Sequence, residues 1–318
     1  MSADITYFVL FCILNTLFAV LISPFFISLI KKVKAYCQGR RGPSLFQTYY
    51  NLFKLLKKET VYSNKSSFIM RIAPYINLIF TITAGICVPL IFIPNTNFFV
   101  GSVILFLYLL GMAKFFMAVA GLDGASTFGG MGSSREMTIS SIIEPVIILI
   151  FVAFAYVLHT TDIHQMITVS SNIGGILFVK PALFPLLIAL FIVLIVESMR
   201  VPIDNPETHL ELTMVHEAMI LEQSGKNLFM MELSSAIKQT ILMAVLINIF
   251  FPFGFAKTLT FSSALIAMVW FFLKSCILCI VIGLFESSFA KLRLFRVPHF
   301  FVLAFFLSIL TIIFEVFA

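Results

Sequence analysis

The sequence predicts an all-α integral membrane protein. It should have eight transmembrane helices, an amphipathic helix on the cytoplasmic side, and a buried acidic helical loop between the fifth and sixth spans. Three observations predict this. Of 318 residues, 60% are hydrophobic and only 11% charged, against roughly 25% charged in a soluble domain. Mean hydropathy is +1.07. Apolar runs recur that match the roughly 20 residues needed to cross a bilayer core, whereas a barrel would show short alternating strands.

The eight spans are read at 6–30, 73–94, 98–120, 138–158, 181–199, 236–256, 261–286 and 298–317, all in one polytopic membrane domain covering 1–318. The first run is longer than a signal-peptide core, follows Asp4 rather than lysines and lacks a small-residue cleavage site, so it reads as an uncleaved span. Lys114 and Lys274 lie within spans. With both termini outside, every other lysine and arginine except Lys180 and Lys257 falls at the cytoplasmic side, as the positive-inside rule requires. The net charge of +6 therefore reports orientation and gives no reason to expect a nucleic-acid partner.

Three charged segments face the cytoplasm in this reading. In 31–72, Leu45, Tyr49, Leu52, Phe53 and Leu56 recur at helical spacing, opposite Gln47, Asn51, Lys54 and Lys58. That is an amphipathic helix lying on the membrane surface or under a partner. The second, AGLDGASTFGGMGSSREM (120–137), is rich in glycine, which permits tight turns or close backbone approach. It has no GxxxxGK[ST] and no strand before it, so it is not a nucleotide loop.

The third segment is the most informative. From Glu197 to Glu222, six of the fifteen acidic residues gather within 26 positions. Asn205 and Pro206 form a helix start, with Glu207 in the first turn, and Gly225 would end it. By helical phase Glu207, Glu211 and Glu222 share one stripe, while Leu210, Leu212, Met214, Val215, Met219, Ile220 and Leu221 cover the other sides. A helix apolar nearly all round is buried. Two carboxylates a turn apart repel by about 3 kcal/mol at an effective dielectric near 20, so some of these groups should titrate near neutral pH.

Ionisable groups within spans are costly and mark function by default. Glu144, followed by Pro145, lies two turns into its span, and Lys274 lies mid-span. Lys114 is also compatible with snorkelling to the interface, and Glu197 and Glu286 with a place at the membrane boundary. The outer loop 159–180 carries His159, Asp162 and His164, read as solvated. Cys276 and Cys279 form a lone CxxC inside a span. No second pair exists to complete a zinc or iron–sulfur site, so they read as small apolar residues. HEAM at 216–219 is not HExxH, and no Ser–His–Asp arrangement or cofactor motif is present. No metal, cofactor or active site is therefore expected in this chain.

GRRGPSLFQTYYNLFKLLKKET (39–60), AGLDGASTFGGMGSSREMTISSIIEP (120–145) and ESMRVPIDNPETHLELTMVHEAMILEQSG (197–225) resemble the complex I subunit 1 family, that of the H-type subunit of NADH–quinone oxidoreductase. They look most like the branch found in membrane-bound group 4 [NiFe]-hydrogenases, including formate hydrogenlyase. The resemblance implies a non-catalytic membrane anchor and coupling subunit of a hydrogen-evolving complex in a prokaryotic plasma (inner) membrane.

Carried over by position, the family's acidic path matches Glu144, Glu197, Asp204, Glu207 and Glu211, with Glu222 matched loosely, and Lys114 and Lys274 join it as intramembrane charges. The surface carrying Arg40, Arg41, Lys54, Lys57, Lys58, Arg135 and Arg200 is implied to meet the hydrophilic arm. The nickel–iron centre and iron–sulfur clusters would belong to partner subunits: the hydrogenase large and small subunits and an iron–sulfur protein, beside antiporter-like membrane subunits. Pro43 runs almost directly into the amphipathic helix, without the longer stretch of quinone-using members, which argues against quinone. The alternatives are a quinone-chamber subunit of a complex I-like enzyme and, ranked lower, a stand-alone secondary cation transporter. The transporter would predict inverted repeats and interrupted spans, and the sequence shows neither.

Overall fold

The computed structural model describes residues 2–92, 101–172, 183–205, 214–256 and 261–317. Among them the chain is helical, with no strand beyond two isolated bridges, Phe92 with Ala256 and Ser102 with Asp162. The helices are α1 (Ser2–Cys37), α2 (Gln47–Lys57), α3 (Ile69–Ile86), α4 (Val103–Asp123), α5 (Thr127–Leu158), α6 (Ile163–Asn172), α7 (Phe184–Glu197), α8 (His216–Ile220), α9 (Gly225–Phe250), α10 (Phe261–Ser288) and α11 (Val297–Phe317). Seven of them (α1, α3, α4, α5, α9, α10 and α11) are long and apolar enough to cross a membrane, and α7 is a shorter apolar helix. At 14 residues, α7 extends about 21 Å, less than the roughly 30 Å bilayer core.

α9 is the pillar of the bundle. In its most apolar stretch 89% of residues are buried, against 28% in α10 and 22% in α11. It packs on α1, α2, α3, α7 and α10, and the core runs along it through Ile241, Met243, Ala244, Val245 and Phe250. α10 and α11 turn Trp270, Ile277, Phe306 and Phe314 outward, the surface expected of lipid-facing helices.

Several sequence expectations change. The glycine-rich segment read as a loop is mostly helix: α5 starts at Thr127, with Ser126 capping Gly129 N–H at 3.0 Å. Its glycines serve close approach. A Cβ on Gly132 would stand 2.8 Å from Ala218 Cβ and 2.9 Å from the Val215 carbonyl. Small residues let helices pack backbone to backbone in a membrane, and here they seat α8 on α5. The loop expected at 159–180 contains α6, whose Ile163, His164, Met166, Ile167 and Ser170 are buried, so His164 is not solvated. On α2 the predicted apolar stripe is divided: Leu52 is buried and Leu45 and Tyr49 half-buried, while Phe53 and Leu56 are exposed.

The long acidic helix is the main correction. Residues 206–213, including Pro206, Glu207 and Glu211, lie outside the described residues. Met214 and Val215 are not helical, and α8 covers only His216–Ile220. Gly225 does not end that helix; it opens α9 with φ +53, where a Cβ would lie 2.5 Å from the Glu59 carbonyl. The cause is Asp204. Its carboxylate accepts the Val215 and His216 N–H groups at 2.9 and 3.1 Å, which starts the chain afresh at α8. Glu222 is exposed in the turn beyond, so no single continuous helix carries Glu207, Glu211 and Glu222.

Candidate functional site: a buried chain of ion pairs

The loop-rich end of the bundle gathers charges that the sequence scatters. Glu197, the last residue of α7, is 4% exposed and stands between two lysines. Lys114 Nζ of α4 lies 2.5 Å from Oε1 and Lys238 Nζ of α9 lies 3.0 Å from Oε2. A cavity of about 30 Å³ beside them is lined by Asn77, His216, Ser234 and Ser235 as well as all three charged groups. It has room for a water molecule.

A second group follows on the adjoining face of α9. Arg200, in the turn after α7, donates to Glu286 Oε1 of α10 at 3.1 Å and to Gln239 Oε1 at 2.8 Å. Lys34 of α1 reaches Glu286 Oε2 at 3.6 Å and donates to Asn205 Oδ1 at 3.3 Å. Lys291 closes the series on Asp204 Oδ1 at 2.7 Å. Lys238 and Gln239 are neighbours on α9, so the two groups join through its backbone. Buried ions are tolerated when they are paired and hydrogen-bonded, and removing one partner costs about 3–5 kcal/mol.

The expected site residues divide accordingly. Lys114, Glu197 and Asp204 come together in this network, and Arg200, expected on the surface that meets the arm, is buried in it instead. Glu144 is exposed on α5, off its buried face. It lines a lateral cavity of about 650 Å³, together with Lys114, Glu197 and apolar side chains including Leu110, Ile147 and Phe151. The cavity thus joins the surface carboxyl to the buried pair.

Lys274 lies elsewhere. Its ammonium donates to the Phe251 and Phe253 carbonyls at 3.0 and 2.8 Å, below the end of α9, and stands 5.3 Å from the Phe255 ring centroid. Arg135 donates to the Met214 carbonyl at 3.0 Å. Arg40, Arg41, Lys54, Lys57 and Lys58 are exposed.

Sequence reasoning missed Glu136 and Lys238, and treated Lys34 and Glu286 as boundary charges. Glu136 had a signal. Its position continues the buried stripe Ile143, Ile139/Ser140 backward by one turn, while Glu144 stands one residue off that stripe. The partners of Glu286 had none, because Lys34 and Arg200 reach it from distant parts of the chain.

On α8, outside the spans, two groups are displaced in opposite directions. Burial and the nearby Lys238 push His216 down to about 4, with Asp204 opposing. Burial, with Glu232 nearby, raises Glu217 to about 7, while Lys31 pulls the other way. No group of three or more His, Cys, Asp or Glu side chains suited to a metal occurs among the described residues.

A family profile described as NADH dehydrogenase matches residues 9–316. The chain is 28% identical over 294 residues to hydrogenase-4 component C of Escherichia coli (strain K12), covering 92% of this chain and 91% of that protein. It is 29% identical over 296 residues to formate hydrogenlyase subunit 4 of the same organism, covering 92% and 93%. To the H-type subunit of NADH-quinone oxidoreductase of Wolbachia pipientis wMel it is 27% identical over 285 residues, covering 83% and 82%. Among solved structures, a chain of the membrane-bound sulfane sulfur reductase, an archaeal respiratory membrane complex, shares the fold with a TM-score of 0.80 at 19% identity, over 96% of this chain and 99% of that one. With a helical membrane bundle behind that match, the chain belongs to the NADH dehydrogenase family of complex I subunit 1 proteins.

Proposed function

We propose that this chain is a membrane subunit of a respiratory-type complex, and more finely the non-catalytic anchor and coupling subunit of a hydrogen-evolving group 4 [NiFe]-hydrogenase. The observation that carries the coupling role is the buried series Lys114–Glu197–Lys238 and Arg200–Glu286–Lys34. Charges on five helices and the turn after α7 meet in one buried region, where a change in one pair alters the balance of the next. The lateral cavity at Glu144 supplies a route from that region to a neighbouring membrane subunit. The exposed Arg40, Arg41, Lys54, Lys57 and Lys58 would face the hydrophilic arm, on the cytoplasmic side of a prokaryotic plasma membrane. Nickel–iron and iron–sulfur centres would reside in that arm, and antiporter-like subunits beside this chain. The likeness to the two hydrogenase-type relatives supports this branch.

A second reading, a quinone-chamber subunit, is favoured by the likeness to the NADH-quinone oxidoreductase relative. The test is affinity purification in mild detergent through a tag on this chain, with metal analysis and a hydrogen-evolution assay. Nickel and hydrogen evolution in the co-purifying complex are expected. Co-purification of NADH-oxidising subunits without nickel would favour the second reading.

A further inference from the structure

A further cavity, of about 460 Å³, lies on the outside of the bundle where α10 gives way to α11. It is lined by Pro202 of the turn after α7, by Phe289 and Leu292 of the linker, and by Arg296, His299, Phe300 and Leu303. Its volume falls within the roughly 300–1,000 Å³ of small-ligand sites. One side is held by the protein itself. Phe289 packs on Phe285 with ring centroids 4.4 Å apart, and Phe285 meets Phe191 of α7 edge-on at 5.4 Å. Leu292 N–H donates to the Pro202 carbonyl at 2.8 Å.

The other side is one helical face. A 3₁₀ turn (Leu294–Arg296) leads into α11 at Val297. Arg296, His299, Phe300 and Leu303 follow at steps of three and four, the spacing of neighbours on a helix surface. The stripe Val297, Phe301 and Ala304 is buried instead. Basic and polar groups therefore stand at the start of the span, and apolar ones a turn or two further in. Phe289 and Leu303 are exposed, and so are Val302, Phe305 and Phe306 beyond them, so the cleft runs out onto a lipid-facing surface.

Arg293, Arg296 and His299 are exposed. Among the described residues none of the three has an ion pair or a side-chain hydrogen bond, whereas Lys291 in the same linker is taken by Asp204. Two guanidinium groups and an imidazole over an apolar cleft complement a molecule with a phosphate at one end and a hydrocarbon chain at the other. The planar fork of arginine matches phosphate oxygens, and basic pockets at the ends of membrane helices suit anionic lipid head groups. An acidic protein loop would satisfy the arginines and leave the cleft unfilled. A neutral hydrocarbon would do the reverse.

We propose that this cavity binds an anionic phospholipid, with its phosphate at Arg293, Arg296 and His299 and an acyl chain along Phe289, Phe300 and Leu303. The site is separate from the buried ion pairs and does not rest on the coupling role. A lipid there braces the linker whose Lys291 and Leu292 hold Asp204 and Pro202.

The test uses the whole complex, purified in mild detergent through this chain and stripped of lipid. Phosphatidylglycerol should rebind and raise the thermal midpoint. R293Q/R296Q should weaken that binding by roughly thirtyfold and remove one tightly bound phosphatidylglycerol per chain in native mass spectra. L303W, which fills the cleft and keeps both arginines, should lose the same lipid. An unchanged lipid count in either variant overturns the proposal. Equal retention of phosphatidylcholine overturns it too, as does a thermal shift from inorganic phosphate alone that matches the lipid's. A photo-reactive Leu303→p-benzoylphenylalanine variant should cross-link to lipid, and capture of a partner subunit in its place overturns the assignment. Should R293Q/R296Q fail to assemble, L303W decides: loss of the lipid supports the site and retention overturns it.

Discussion

The two ends of the bundle bury polar groups in different ways. At the loop-rich end, Glu197, Glu286 and Asp204 meet Lys114, Lys238, Arg200, Lys34 and Lys291. At the far end, buried Asn15, Asn248 and Ser170 turn to backbone groups instead. Asn15 donates to the Gly85 and Val88 carbonyls at 2.9 Å each and accepts from Leu90 N–H at 2.9 Å. Asn248 donates to the Pro89 carbonyl at 2.7 Å, and Ser170 to the Ile249 carbonyl at 2.6 Å. Here α3 and α9 give way to irregular chain, and the bridge Phe92–Ala256 ties the two segments together. Irregular backbone at membrane depth survives only when its polar groups are satisfied inside the protein, and the amides satisfy them. A buried polar residue in a membrane protein is therefore not a functional residue by default. The useful distinction is whether it saturates backbone or faces another ion.

That contrast is open to breakage, most sharply at Glu197. Glu197→Leu strands two buried ammonium groups and should destabilise by about 3–5 kcal/mol, seen as loss of folded yield in detergent. The triple variant E197L/K114M/K238M should recover much of that yield by removing all three charges, yet lack coupled ion translocation. A triple variant that remained coupled would show the ions to be structural, like the far-end amides.

Next comes Asn15→Leu, which orphans Leu90 N–H and two carbonyls. It should cost about 2–3 kcal/mol, read as a lowered thermal midpoint with coupling unchanged per folded complex. Lys274→Met should behave the same way at about 1 kcal/mol. A specific loss of coupling there would move Lys274 into the functional group, where helical position alone first put it.

The smallest effect is on α8. Glu217, raised from 4.5 to about 7, takes up its proton more readily when docked, so its contribution to docking falls as pH rises from 4.5 to 7. His216, lowered from 6.5 to about 4, contributes less as pH falls from 6.5 to 4. Between about 4.5 and 6.5 the two slopes oppose each other. Hydrogen exchange at 216–220, corrected for intrinsic rates, should therefore vary little with pH in the native protein. Protection should fall with rising pH in H216N and with falling pH in E217Q, each by no more than about 1 kcal/mol once solvent screening is allowed for.

Seven spans and the shorter apolar helix α7 were legible as apolar runs, whereas α6, in a segment read as a loop, was not. The close packing of α5 was half legible: glycine signalled close approach, but Gly132 could serve a turn or a helix contact equally well until its partners Val215 and Ala218 were known. The site was legible where one helix carried the information. Glu197 and Lys114 stood out as charges in apolar runs, and Arg200 and Asp204 came with the motif. The pairing of Glu286 with Lys34 and Arg200 was illegible because helical phase says nothing about which distant helices meet. The acidic stripe misled for a related reason. Phase arithmetic assumes an unbroken helix, and a side chain outside it, Asp204, supplied the cap that broke it.

The amide lattice has a consequence for the membrane as an electrical insulator. In the bonds described at the far end, Asn15, Asn248, Ser170 and Lys274 address backbone carbonyls and one amide, and no carboxylate takes part. A proton reaching Glu197 meets no acid in those bonds to carry it straight on across the bilayer. On the coupling role proposed above, a proton at Glu197 would leave sideways, through the cavity that Glu144 also lines. On that reading this chain alone in a vesicle should hold a pH gradient, and proton current should require a neighbouring subunit at that cavity.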